Sequence, residues 1–205
     1  MIDIADKEAQ RAFLDRFYGW AGPIYDVTRK YYLLGRDPAI DALLSTQWSR
    51  LVEVGPGTGR NLEQLHRRRP FAALGGVEPS REMLRRVRRR CPFARLVEGF
   101  AEDCDHTELV GGRPERIFFS YCLSMVGDPN LALDNARSQV APGGRVVVVD
   151  FGDLTGVPGW FGRGLRRWLD AFHVHPLDLS LLDIPGTELR FGPGRYWVYA
   201  EIPGS

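Results

Sequence analysis

The chain has no apolar run approaching the roughly 20 residues that a membrane-spanning helix needs, and only three of its 205 residues are cysteines, Cys91, Cys104 and Cys122. The first absence excludes a spanning helix. The second leaves an odd number without metal-ligand spacing, which argues against a disulfide framework or a cysteine-built metal centre, so the three are read as structural. Lysine is almost missing: Lys7 and Lys30 apart, all 27 basic residues are arginines, a skew that genome base composition alone can produce. The N-terminus, Met1-Ile2-Asp3-Ile4-Ala5-Asp6-Lys7-Glu8, places acids where a secretory signal needs a basic region and then an apolar one, which predicts a cytoplasmic protein. No internal repeat or low-complexity linker interrupts the chain.

What is present is the composition of a single globular domain, with 44% hydrophobic and 26% charged residues. From residue 50 onward, short apolar strands alternate with helical patterns. Strands are expected at 50–55, 73–78, 94–100, 116–123 and 144–151, and helices at 59–69, 80–90, 129–140 and 159–172. The last of these helices is amphipathic through Trp160, Phe161, Leu165, Trp168, Leu169 and Phe172. This order predicts an α/β fold, a doubly wound and mostly parallel sheet with helices on both faces. The clearest strand is Arg145-Val146-Val147-Val148-Val149-Asp150, a β-branched run of the kind covered on both sides. The end of the chain reads as an antiparallel hairpin, 188–191 and 195–200, around Gly192-Pro193-Gly194. Residues 1–49 form a different kind of segment, expected as a helical lid over the C-terminal edge of a core spanning 50–205.

Chemistry enters at Leu51-Val52-Glu53-Val54-Gly55-Pro56-Gly57-Thr58-Gly59-Arg60-Asn61-Leu62. A buried strand runs into a turn with glycine at 55, 57 and 59 and then directly into a helix, so the backbone can bend sharply and approach a ligand with no side chain in the way. Glu78, which ends the next predicted strand, lies about 20 residues further on, where a carboxylate reaches ribose hydroxyls. Together these predict a nucleotide-like cofactor. The turn reads G-x-G-x-G and not G-x-G-x-x-G, which weakens a nicotinamide-dependent alternative, and no Gly-Lys-Ser/Thr follows it, which weakens a nucleoside triphosphate one. A module that binds the cofactor without turning it over is the non-enzymatic rival. The densest basic run, with arginines at 81, 85, 86, 88, 89 and 90, reads first as a solvated helix face whose Met83, Leu84 and Val87 meet the sheet. The sharper reading is peripheral contact with an anionic membrane, such as the inner membrane surface. Nucleic acid is disfavoured, because no aromatics are interleaved with the arginines.

At these residues the chain resembles the class I S-adenosylmethionine-dependent methyltransferases, over roughly residues 50 to 150. The resemblance implies a seven-stranded Rossmann-like methyltransferase sheet with S-adenosyl-L-methionine as cofactor and S-adenosyl-L-homocysteine as product. Glu53-Val54-Gly55-Pro56-Gly57-Thr58-Gly59 is similar to that family's first motif, so Glu53, Gly55, Gly57, Gly59 and Asn61 are the expected cofactor cradle. Glu78 falls at the ribose acid and Met83 at the residue flanking adenine. Glu98-Gly99-Phe100-Ala101-Glu102-Asp103 is similar to the third motif, placing Ala101 and Glu102 at the adenine edge, with Phe100 where Asp is often found. Ser120-Tyr121-Cys122-Leu123 resembles the fourth motif beside the methyl group, and Val140-Ala141-Pro142-Gly143-Gly144 the turn into the fifth strand. Tyr25-Asp26-Val27-Thr28-Arg29-Lys30-Tyr31-Tyr32-Leu33-Leu34-Gly35-Arg36, with Phe172-His173-Val174-His175-Pro176, resembles the diacylglycerylhomoserine N-methyltransferases of betaine-lipid synthesis. That narrower resemblance implies methylation of an amine on a lipid head group; a soluble small-molecule acceptor is the alternative. Methyl transfer from a sulfonium needs no metal and no covalent nucleophile, but an amine must shed its proton, and the candidates to assist are Tyr25, Tyr121, Asp153, His173 and His175.

Overall fold

The computed structural model describes residues 33–157 and 176–205, together with the helical positions 159, 162, 164 and 167. The expected N-terminal helices, most of the 159–172 helix, and Tyr25, His173 and His175 lie outside the described residues. Within them the order is α1 (Arg36–Ser45), β1 (Arg50–Val54), α2 (Arg60–Arg68), β2 (Ala73–Glu78), α3 (Arg81–Arg90), β3 (Arg95–Glu98) and α4 (Thr107–Val110). The chain continues with β4 (Arg116–Ser120), α5 (Pro129–Gln139), β5 (Arg145–Phe151), β6 (Glu188–Phe191) and β7 (Trp197–Pro203). The seven strands form one sheet in the order β3-β2-β1-β4-β5-β7-β6. Strands β1 to β5 pair in parallel, and β7 pairs antiparallel with both β5 and β6. The doubly wound expectation, with its terminal antiparallel hairpin, is met.

Alternation along the strands divides the core into two layers. Leu51, Leu74, Phe118, Val147 and Val149 pack beneath Ile40 and Leu43 of α1, Leu62 and Leu65 of α2, and Leu84 and Val87 of α3. On the opposite face Ile117, Phe119, Val146, Val148 and Val198 meet Ala132, Leu133 and Ala136 of α5, while Val52 and Val77 meet Leu109 and Val110 of α4. Helix starts follow their caps. Ser80 accepts the Met83 N–H at the start of α3, and Asp128 accepts the Leu131 N–H ahead of Pro129, the first residue of α5. The arginine run is a solvated face, as first read: Met83, Leu84 and Val87 are buried, while Arg85 and Arg86 pair with Glu82, Arg81 with Glu98 and Arg90 with Glu63. No described helix is long and apolar enough to cross a membrane.

Three departures from the sequence reading share one edge of the sheet. The third strand ends at Glu98 and not at 100. The fourth ends at Ser120 and not at 123, because Tyr121 turns left-handed (φ 53°) and Leu123–Met125 winds into a 3₁₀ turn. The second hairpin arm starts at Trp197 and not at 195, because Pro193–Arg195 is another 3₁₀ turn in which Gly194 and Arg195 have φ of 60° and 53°. Each departure lies at the edge of the sheet where the parallel strands end, the edge at which open α/β sheets bind ligands.

His106, ahead of α4, is completely buried, and neither ring nitrogen has a hydrogen-bond partner among the described residues. Burial pushes its pKa down to about 4. The unfolded chain therefore takes up a proton as pH falls through the ordinary histidine range while the folded chain does not, so this side chain withdraws stability between about pH 6.5 and about pH 4. Raised carboxyl pKa values elsewhere act in the opposite sense, so the comparison is with His106→Gln. In urea unfolding, wild type should lose about 2 kcal/mol relative to the variant between about pH 7.5 and about pH 5. A difference that does not change with pH would show that this imidazole is not held neutral.

Candidate functional site

The sheet order reverses between β1 and β4, and a crevice opens there beyond the strand ends, at the topological switch point. Its floor is the glycine turn. Gly55, Gly57 and Gly59 all have positive φ (63°, 57° and 81°), which only glycine adopts without strain. At Gly59 a Cβ would also stand 2.8 Å from both Cys91 Sγ and a Val87 methyl, so the helix after the turn packs where no side chain fits. The turn is held from β2: Gly55 N–H donates to Val77 O at 2.8 Å, and Glu78 accepts from Gly57 N–H (3.0 Å) and from Ser80 N–H (3.1 Å). The glycines and Glu78, some 20 residues apart in the chain, thus form one unit.

One lobe of the crevice is polar, lined by Arg36, Glu53, Thr58, Arg60, Asn61 and Ser120 around the glycine turn. Asn61 Nδ2 donates to Glu53 Oε1 at 2.6 Å. Burial pushes the Glu53 carboxyl up to about 7, against the lowering effects of that bond and of Arg36. Glu53 Oε2, Asn61 Oδ1 and Ser120 Oγ are buried with no hydrogen-bond partner among the described residues. Buried polar atoms are ordinarily satisfied, and three orphans converging on one lobe mark the place of a polar ligand group.

The other lobe is mostly apolar. Val54, Val77, Pro79, Phe100, Ala101, Cys122, Met125 and Val126 line it beside Glu78, Glu102 and Tyr121. The loop carrying Ala101 and Glu102 is fastened to α5: Asn135 donates to the Ala101 and Cys104 carbonyls, Gln139 donates to Cys104 O, and Glu102 accepts from Asp128 N–H. The fourth-motif loop carries Tyr121, whose hydroxyl accepts the Gly35 N–H at 2.9 Å. Its ring stands edge-on to Phe151 at 4.8 Å. Burial raises the phenol well above its usual pKa, so it stays protonated.

The crevice therefore gathers Glu53, Gly55, Gly57, Asn61, Glu78, Ala101, Glu102, Ser120 and Tyr121, with Gly59 shaping its floor. Met83 does not line it; its side chain is fully buried. Cys122, read as structural, does line it, because the residue two past the strand end turns toward the glycine loop. Asp153 is committed elsewhere: the Arg195 guanidinium grips it at 2.7 to 3.0 Å and holds its carboxyl well below the usual range, which makes it a poor base. Sequence reasoning missed Met125, Val126, Pro79 and the buried Asp150. For Asp150 a signal existed, an acid closing an otherwise apolar strand. For Met125 and Val126 the folded-back loop had no signature. Among the described residues no group of three or more His, Cys, Asp or Glu could hold a metal ion.

Residues 26–187 match the family described as methyltransferase domain. The chain belongs to this family, the class I S-adenosylmethionine-dependent methyltransferases. This methyltransferase is 31% identical over 106 residues to the malonyl-[acyl-carrier protein] O-methyltransferase of Halorhodospira halophila, a match covering 52% of this chain and 36% of that protein. In the first curated relatives the matched segment is 36–38% of the protein's length, so this chain spans little more than a third of them. Among solved structures, a possible histamine N-methyltransferase from Thermotoga maritima superposes with a TM-score of 0.69, covering 96% of this chain and 100% of that one at 18% identity. An amino pentose methyltransferase from Micromonospora echinaspora, solved with S-adenosylmethionine bound, is 26% identical over 61% of this chain and 55% of its own, with a TM-score of 0.50. The orphaned polar atoms, the glycine turn and the apolar lobe fit that cofactor, whose amino-acid end is polar and whose adenine end is flat and apolar.

Gly57→Val and Glu78→Ala should each weaken S-adenosylhomocysteine binding about tenfold or more in isothermal titration. The first forces a β-branched residue into a left-handed backbone, and the second strands two buried N–H groups. Wild-type affinity in both variants would sink the assignment of the crevice.

Proposed function

We propose that this methyltransferase moves the methyl group of S-adenosylmethionine to the nitrogen of an amine, with a lipid head group as the acceptor that its N-terminal segment suggests. The observation that carries the cofactor half of this reading is the convergence of Glu53 Oε2, Asn61 Oδ1 and Ser120 Oγ, unpartnered among the described residues, on the polar lobe of a glycine-floored crevice. In the proposed arrangement these groups hold the amino-acid end, Glu78 takes the ribose hydroxyls, and Phe100, Ala101 and Glu102 border the adenine. When bound there, S-adenosylmethionine would supply an activated methyl group on a sulfonium whose leaving group is a neutral thioether. The work left to the protein is alignment and exclusion of water.

The amine half rests on charge and on the resemblance. Glu53, Glu78, Glu102 and Asp150 are all buried about the crevice, against Arg36 as the buried cation nearby. That balance suits a cationic sulfonium and an ammonium acceptor better than a carboxylate. Tyr121 remains in the proposal as a positioning group, since a neutral phenol bound to Gly35 orients its neighbours and does not remove a proton. Tyr25 and His173 are proposed to line the acceptor side, with His173 as base and His175 as the alternate. Relatives named malonyl-[acyl-carrier protein] O-methyltransferase, trans-aconitate 2-methyltransferase and demethylmenaquinone methyltransferase carry names with different acceptors, and a fold does not by itself fix the acceptor.

Labelled S-adenosylmethionine offered with an amine lipid in vesicles, with soluble amines and with carboxylic acids tests the reading, and we expect label on an amine. Transfer only to a carboxylic acid would overturn the acceptor class, and cofactor binding with no transfer to any acceptor would favour a non-catalytic module. Within the active reaction, Tyr25→Phe and His173→Ala should lower turnover by roughly 10- to 100-fold with little change in S-adenosylhomocysteine affinity. Wild-type turnover would remove either residue from the acceptor pocket.

A further inference from the structure

The loop at residues 121–126 forms one wall of the crevice, and a single buried carboxylate stands at its base. Asp150, second to last in β5, is fully buried. Its oxygens accept from Ser124 N–H (3.2 Å), from Ser124 Oγ (3.3 Å) and from Phe151 N–H (2.8 Å). Asp150 also takes a backbone bond from Leu123, and the loop's ties to the rest of the fold include a Tyr121 N–H bond to Val149 O at 2.8 Å, the Cys122 thiol on Val54 O at 3.1 Å and the Tyr121 hydroxyl on Gly35. The loop needs them, because Tyr121 is left-handed, a conformation that costs about 1–3 kcal/mol and persists only where its surroundings impose it. Ser124 is the midpoint of the loop, and both of its donors end on Asp150.

We propose that Asp150 is a positioning residue for cofactor binding: its ionised carboxylate, by gathering the backbone and hydroxyl donors of Ser124, holds the loop so that Cys122, Met125 and Val126 wall the crevice. The inference rests on the reading of the crevice as the S-adenosylmethionine site. Asp150 itself does not line the pocket, so its influence passes through the loop. A carboxylate buried in a sheet is destabilising unless donors surround it. Donors do surround it here, and one oxygen would stop accepting if it took a proton. Burial pushes its pKa up to about 6, so the tether weakens just below neutrality. The Cys122 thiol and the Tyr121 hydroxyl of the loop both feel its charge; beyond them, Glu53 of β1 and Glu78 of β2 act on the Cys122 thiol, and Arg36 of α1 and Tyr196 ahead of β7 act on the Tyr121 hydroxyl. Of these, Glu53, at about 7, titrates in the same region.

The test is isothermal titration with S-adenosylhomocysteine, paired with thermal unfolding, on wild type, Asp150→Asn, Ser124→Ala and Ser124→Thr. At about pH 8, where the carboxylate is ionised, Asp150→Asn should bind about tenfold more weakly and Ser124→Ala several-fold more weakly, while Ser124→Thr, which keeps both donors, binds as wild type. The melting midpoint of Asp150→Asn should stay level or rise, because the variant no longer buries a charge. Lowering the pH should weaken wild-type binding with a component centred near 6 that Asp150→Asn lacks, while the Glu53 component persists in both. Wild-type affinity in Asp150→Asn, or affinity and melting midpoint falling together, would overturn the positioning role. Absence of binding by wild type would instead overturn the cofactor reading, and this inference with it.

Discussion

Everything at the functional edge depends on the carboxylate of Glu78 reaching back across the sheet to the turn after β1. It accepts from Gly57 and from Ser80 at once, so the glycine turn, the end of β2 and the start of α3 are tied together through one side chain. A glycine-rich turn left alone is the segment that loses most conformational entropy on ordering. Tied to a buried acid it becomes a preformed cradle, and a ligand that enters it has less ordering to impose. The acid also lines the crevice, so the same side chain shapes the turn and faces the space beside it.

Around that unit the site is assembled from loops that leave neighbouring strands at one edge, each fixed by a bond to a different layer. The loop carrying Ala101 and Glu102 hangs on Asn135 and Gln139 of α5. The fourth-motif loop hangs on Asp150 and, through Tyr121, on the backbone of Gly35 just ahead of α1. The contact at Gly35 is close: a Cβ there would meet the Tyr121 hydroxyl and the Trp197 ring within 2.9 Å. The entry to the N-terminal segment is thereby coupled to the wall of the crevice. Buried acids concentrate at this edge, and desolvation raises the Glu53 and Asp150 carboxyls, a pattern common where charge is held for function.

Much of this was readable in order along the chain. The β-branched run at 146–149, the alternation of strands and helices and the G-x-G-x-G turn followed by an acid are local patterns whose physics is local: period, turn chemistry and spacing. They placed β1, β2, β5, the glycine turn and Glu78 within a residue or two. What escaped were features that arise only when distant segments meet. Strand β4 was read to 123 because Tyr121-Cys122-Leu123 looks like more strand, yet Val149 and Gly35 bend it away after Ser120. Asp153 looked like a free acid near the acceptor until Arg195, far along the chain, claimed it. Met83, expected beside adenine from the resemblance, is buried on the inner side of α3.

The sequence by itself determined the fold class and a turn shaped for a nucleotide-like ligand, since hydrophobic period and glycine spacing leave a parallel sheet few other ways to form and a glycine turn few other uses; the cofactor class came with the family resemblance. Only the tertiary structure decided which acids are buried and ionise late, which loop walls the crevice, and which side chains are already spoken for. Those properties depend on desolvation and on partners 21 to 86 residues away in the chain, and neither is written in the order of neighbouring residues.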